Sequence, residues 1–233
     1  MTAVITSIMG AYDSVPPIPL GFDEAILVSD VPIDSDWSNV VMRTGLPSRL
    51  AAKIPKFRPD MFTSCGSSVW IDATFQSDDG WLYRASTTAL ESCDLVFFKH
   101  PERNTVSEEV YVSKPMDKYK GFPLDEQLEH YKSLGFADDI GLLACTVIAR
   151  RHTVEVEDLG NAWLAENLRW SIQDQISLPY LLWKRNVPYS TFEEALWSGP
   201  VIWKHHQGKD VGRLKTLWRM VCNIFQVLRA RRK

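Results

Sequence analysis

The sequence predicts a single α/β domain with a mainly parallel central sheet flanked by helices and a C-terminal amphipathic basic helix. Short β-like apolar runs alternate with segments of helical period along most of the chain, the order that builds parallel sheets covered on both faces. The 233 residues are 45% hydrophobic and 24% charged, enough apolar matter for one sizeable core. No repeat, low-complexity tract or linker interrupts it, so residues 1–208 are assigned to one domain and 209–233 to the terminal helix.

In chain order, residues 4–9 read as a strand of β-prone residues stopped by the turn Gly10-Ala11-Tyr12-Asp13, residues 24–29 as a second strand and 40–43 as a short third. Residues 47–56 read as a helix, with Pro47 at a tolerated early position. Residues 69–72 form a buried strand that ends by presenting Asp72 at its C-terminal tip, where open α/β sheets bind ligands. A helix over 79–90, a strand over 95–99, a helix over 124–134 and a long buried strand over 141–150 follow, and helices over 156–170 and 172–184 close the series.

The net charge of −3 hides an uneven distribution, because Lys209, Arg213, Lys215, Arg219, Arg229, Arg231, Arg232 and Lys233 crowd the end against Asp210 alone. Leu214, Leu217, Trp218, Val221, Ile224, Phe225 and Leu228 recur at helical spacing beneath those charges. This helix either packs on the core with a solvated basic face or makes weak contact with an anionic membrane surface. The acidic body and the lack of an aromatic-plus-basic motif argue against nucleic-acid binding. No apolar stretch is long enough to span a bilayer and residues 1–10 lack a signal-peptide pattern, so a cytoplasmic location is expected. Cys65, Cys93, Cys145 and Cys222 show neither disulfide nor zinc spacing.

The candidate functional residues fall near strand ends. Gly10, Tyr12 and Asp13 offer a tight turn, a stacking face and an acceptor for a base edge, or simply a Gly/Asp turn beside a core tyrosine. Neither GxGxxG nor GxxxxGK[ST] is present, so phosphate must be held by a metal or by side chains. Arg49, Lys53 and Lys56 align on one helix face, either to meet a diphosphate or as a solvated row. His205-His206-Gln207-Gly208-Lys209 offers an imidazole for a metal, a close backbone approach and a phosphate cation, or an exposed polar turn. Lys99-His100-Pro101-Glu102-Arg103-Asn104, followed by Glu108 and Glu109, enters a polar loop. Asp174 either caps a helix or faces a sugar.

Taken in order, Gly10 to Asp13, Trp70-Ile71-Asp72, Phe98 to Asn104, the stretch from Gly141 to His152, and Asp174-Gln175 with Leu181-Leu182-Trp183-Lys184 resemble the plant mucilage-related and turgor-regulation-defect glycosyltransferase-like domain family. The resemblance runs over about residues 4–184 and is most specific at Lys99 to Asn104; the compact chain is most similar to bacterial or phage members. It implies a GT-A fold similar to glycogenin-type enzymes, which move a sugar from a nucleotide diphosphate sugar, here expected to be a UDP-sugar, to a hydroxyl on a protein, glycan or lipid. Retention and a bound Mn²⁺ or Mg²⁺ are expected with it. By matching motif it implies Gly10, Tyr12, Asp13, Arg49, Lys53, Asp72, Gly208 and Lys209 as donor-binding residues, Asp72 and His205 as metal ligands, and Asp174 and Gln175 beside the transferring sugar. His100, Arg103, Asn104 and Glu108 would form an acceptor or sugar pocket.

One departure from the family pattern is Thr74, which stands where the DxD metal motif has its second acid, and a hydroxyl is a poorer cation ligand than a carboxylate. Two other function classes stay open. One is a metal-assisted lipid-amide hydrolase using His100, Glu108 and Glu109, although HExxH and GxSxG are missing. The other is a catalytically silent sugar- or protein-binding domain, which Thr74 favours.

Overall fold

A computed structural model describes residues 1–77, 80–197 and 201–203. The sheet contains β1 (Thr2–Ile8), β2 (Glu24–Ser29), β3 (Ser38–Val41), β4 (Ser67–Ile71), β6 (Leu95–Lys99), β7 (Leu143–Arg151) and the two-residue β8 (Ser190–Thr191). Its order is β3-β2-β1-β4-β7-β6-β8. β7 runs antiparallel to both neighbours while every other pairing in this sheet is parallel, so the sheet is mainly parallel as the alternating pattern requires. A separate ribbon joins β5 (Phe75–Ser77) to β9 (Val201–Trp203) in antiparallel register.

Successive strand residues point to opposite faces, so the continuous apolar runs fill two cores rather than one. Ala3, Ile5, Trp70, Phe97 and Ile148 belong to the first core; Val4, Ile8, Val69, Ile71, Val96, Phe98 and Val147 belong to the second. The first core is covered by α2 (Lys53–Phe57), α4 (Val106–Ser113), α5 (Leu124–Ser133), α6 (Val154–Arg169) and α7 (Asp174–Arg185). The second lies beneath α3 (Trp81–Ala89).

Two expectations need correction. The helix expected over 47–56 is two short pieces, α1 (Ser48–Ala51) and α2, which meet at Ala52. Pro55 has no N–H to offer the Ala51 carbonyl, so the hydrogen-bond ladder breaks there. The polar segment after Asn104 contains α4, started by a capping box in which Thr105 accepts from the Glu108 amide at 3.1 Å and Glu108 accepts from the Thr105 amide at 3.1 Å. The terminal helix expected over 209–233 lies outside the described residues. Among the described residues no helix is long and apolar enough to cross a membrane.

Candidate functional site

β1 and β4 are parallel neighbours, so the chain leaves both at the same edge of the sheet. After β1 it turns through Gly10, whose φ of +67° favours glycine, and a Cβ there would lie 2.8 Å from Ser48 Oγ at the start of α1. The Gly10 amide donates to Asp30 Oδ2 at 2.9 Å, which ties this turn to the end of β2. After β4 comes Asp72, whose amide donates to the Thr146 carbonyl on β7 at 2.8 Å. Between these tips and the start of α7 lies a cavity of about 360 Å³, lined among others by Tyr12, Arg49, Lys53, Lys56, Asp72 and Asp174. It adjoins a second cavity of about 220 Å³ around Gly10, Tyr12, Asp13, Ser48 and Arg49.

The larger cavity is a charged site built on an apolar floor. Lys56 Nζ is 2.8 Å from Asp174 Oδ2 and 3.1 Å from Asp72 Oδ1, and it stands over the Trp70 ring 5.7 Å from the centroid. Lys53 Nζ lies 2.7 Å from both oxygens of Asp174. Trp70 Nε1 donates to Asp72 Oδ1 at 2.9 Å. At the rim, the Arg49 guanidinium covers the Tyr12 ring at 5.3 Å and donates to the Lys118 carbonyl at 3.4 Å.

Lys56 is held because α2 is pinned from below. The buried Arg150 guanidinium donates to the carbonyls of Lys56 at 2.8 Å and Phe57 at 3.3 Å. Phe57 stacks on Trp163 with centroids 4.2 Å apart, and Gly160 lets α6 approach so closely that an added Cβ would sit 2.2 Å from the Phe57 carbonyl oxygen.

Electrostatics follow from this packing. Burial pushes the Asp174 carboxyl up, but Lys53 and Lys56 outweigh it and hold the group below the ordinary carboxylate range. Burial acts to lower Lys56, yet Asp174 and Asp72 raise it above a free lysine. For Lys53 burial wins and its ammonium is easier to deprotonate. Asp174 Oδ1 is enclosed and lies 2.7 Å from Lys53 Nζ.

Of the residues expected to act in the site, Tyr12, Asp13, Arg49, Lys53, Asp72, Asp174 and Gln175 line the larger cavity and Gly10 lines the smaller. His205, Gly208 and Lys209 lie outside the described residues. His100, Arg103, Asn104 and Glu108 line neither cavity. His100 Nδ1 accepts the Arg103 amide at 3.0 Å, Arg103 Nε donates to the buried Glu109 at 2.6 Å, and Glu108 accepts the Asn104 amide at 2.7 Å. Glu109 in turn accepts from Ser113 at 2.9 Å and from the Gln173 side chain, so this loop braces the residue that precedes Asp174. Lys118, Tyr119, Cys145, Thr146 and Gln173 also line the cavity, and nothing in their local sequence marks them: they arrive from a short 3-10 turn, a strand interior and a helix cap.

Of the residues that implied a divalent cation, His205 lies outside the described residues, which leaves Asp72 and the Thr74 position to be described. Thr74 is 3% exposed with Oγ1 buried and unpartnered, it lines neither cavity, and the Asp72 carboxylate is already engaged by the Lys56 ammonium. Among the described residues no group of three or more His, Cys, Asp or Glu side chains could hold a metal ion.

A protein-family model described as TOD1/MUCI70, glycosyltransferase-like domain, matches residues 36–198, well over half of the chain. The match covers Arg49 to Lys56, Asp72 and Asp174 but begins after the turn at Gly10 to Asp13. No curated protein matches the chain.

Proposed function

Because the chain belongs to the TOD1/MUCI70 glycosyltransferase-like domain family, we propose that it transfers a sugar from a nucleotide diphosphate sugar, in the first instance a UDP-sugar, to a hydroxyl of a protein, glycan or lipid. The observation that supports this reading most is the pair of adjoining cavities at the tips of β1 and β4. The smaller offers the Tyr12 face and Asp13 to a nucleoside, and the larger offers cations to a diphosphate beside the buried Asp174.

On this reading Gly10, Tyr12 and Asp13 seat the nucleoside while Arg49 and Lys53 meet the diphosphate, whose growing charge is the largest to be stabilised as the sugar leaves. Asp174 and Gln175 face the sugar. A donor diphosphate draws the ammoniums of Lys53 and Lys56 toward itself and leaves more of the Asp174 charge to support a cationic anomeric carbon. In the ligand-free arrangement that carboxylate is compensated by two ammoniums, which weakens it as a nucleophile and favours same-face attack, and so retention, over a covalent sugar on Asp174. The leaving phosphate takes the acceptor proton.

Transfer tests this reading. With saturating donor, Asp174→Asn assayed well below its melting temperature is expected to lower nucleoside diphosphate release by about a hundredfold or more. Wild-type turnover in that variant would remove Asp174 from the chemistry.

A further inference from the structure

We infer that the diphosphate is held by the ammoniums of Lys53, Lys56 and Lys118 in the place where related transferases use a divalent cation, so that donor binding needs no metal. The inference rests on the glycosyltransferase reading for its ligand and goes beyond it in naming what neutralises that ligand. Three observations carry it. First, Lys56 Nζ already makes the contact with Asp72 that a cation would make, at 3.1 Å, and it spans to Asp174 at 2.8 Å. Second, the place of the second metal acid is taken by Thr74, which is packed inward and lines neither cavity. Third, Arg49, Lys53, Lys56 and Lys118 line the larger cavity against Asp13, Asp72 and Asp174, an excess of positive charge before any ligand enters.

The lysines have capacity to spare. An ammonium has three donors, and Lys56 spends two of them on carboxylates. Lys118 and Arg49 have no ion-pair partner among the described residues; they are engaged with the Tyr119 ring at 4.5 Å and the Tyr12 ring at 5.3 Å. A lysine works here as a point charge toward phosphate, the role it also plays in phosphate-binding loops. Asp72 then competes with phosphate for Lys56, which Asp174 and the Trp70 ring keep in place.

This arrangement and a metal site differ in sign at Asp72. If Asp72 coordinates a cation that bridges the phosphates, Asp72→Asn weakens nucleotide binding. If Asp72 competes with phosphate for Lys56, Asp72→Asn leaves binding unchanged or tightens it. The test is isothermal titration of the full chain with inorganic pyrophosphate in metal-stripped buffer, and with UDP and GDP in the same buffer and with Mg²⁺ or Mn²⁺ added.

The expected result is binding of pyrophosphate and of one nucleotide without metal, an affinity for that nucleotide changed by less than about threefold on adding metal, and no loss in Asp72→Asn. Lys118→Met is expected to weaken both ligands by about tenfold, and because Lys118 is exposed this variant keeps the fold if Lys56→Met does not. Nucleotide binding that appears only with Mg²⁺ or Mn²⁺ and vanishes in Asp72→Asn overturns the inference and leaves the transferase reading standing. No binding of either nucleotide or of pyrophosphate under any condition overturns both.

Discussion

Replacing Asp174 by Asn probes the charge balance on which the site depends. The residue is 4% exposed and lies 2.7 Å from the Lys53 ammonium and 2.8 Å from that of Lys56. Asn keeps the shape and removes the charge, so two buried ammoniums are left with Asp72 alone. Removing one partner of a buried ion pair costs about 3–5 kcal/mol. The Lys53 side chain is 16% exposed and can turn part of its charge toward water, which favours the lower end of that range. With Tm moving about 2–4 °C per kcal/mol in a domain of this size, about 3 kcal/mol lowers it by about 6–12 °C.

The sign with pH follows from the direction of the shift. Asp174 is held below its ordinary range, so its contribution is present above the unfolded carboxylate value and is lost as pH falls through the lower folded one. The difference between variant and wild type is therefore full at neutral pH and closes in acid. Thermal denaturation followed by circular dichroism reads it. Pyrophosphate replaces the missing negative charge and is expected to raise the melting point of Asp174→Asn by more than that of wild type. A variant that melts with wild type at neutral pH, or gains no more from pyrophosphate, would refute the assignment of Asp174 as the ionised partner of both lysines.

Gly160→Ala forces a Cβ to within 2.2 Å of the Phe57 carbonyl oxygen, so α6 and α2 must part. A loss of about 1–3 kcal/mol in chemical denaturation is expected, together with weaker pyrophosphate binding because α2 carries Lys53 and Lys56. Glu109→Gln removes the buried partner of Arg103 and loosens the brace on Gln173; a lowered Tm and reduced turnover with unchanged pyrophosphate affinity are expected, since Glu109 does not line the cavity. His100 is lowered to about 4 by burial and by the Arg103 charge. Between that value and the ordinary 6.5 the unfolded chain takes up the proton first, so stability falls as pH drops through this window. In His100→Asn, whose amide oxygen can replace Nδ1 as acceptor, the fall in melting temperature across the same window is expected to be shallower.

The strands were legible because a sheet covered on both faces needs continuous apolar runs, and β1, β2, β4, β6 and β7 are such runs. The reversal of β7 was not, since periodicity carries no direction. Asp72 stood out as an acid at a strand tip and Asp174 as an acid opening an apolar helix, both local signals. Their joining through Lys56 was not legible, because Asp72 and Asp174 are brought together by pairing and packing between distant segments. The row Arg49, Lys53 and Lys56 did converge on the cavity even though the helix that suggested it is broken at Ala52. α4 was missed although Thr105 and Glu108 spell its capping box, because an eight-residue helix rich in valine and serine leaves little helical period to read. Lys118 reaches the rim from a 3-10 turn that no local pattern distinguishes from solvated loop.

The central claim is that the adjoining cavities hold an activated sugar. It is tested most directly by thermal stabilisation of the full chain with a panel of nucleotide diphosphate sugars, each with and without Mn²⁺, in wild type and in Lys118→Met. One donor raising the melting point of wild type, with the shift reduced in Lys118→Met, is the predicted result and names the sugar. A panel in which no donor moves the melting point of wild type, with or without Mn²⁺, would contradict it.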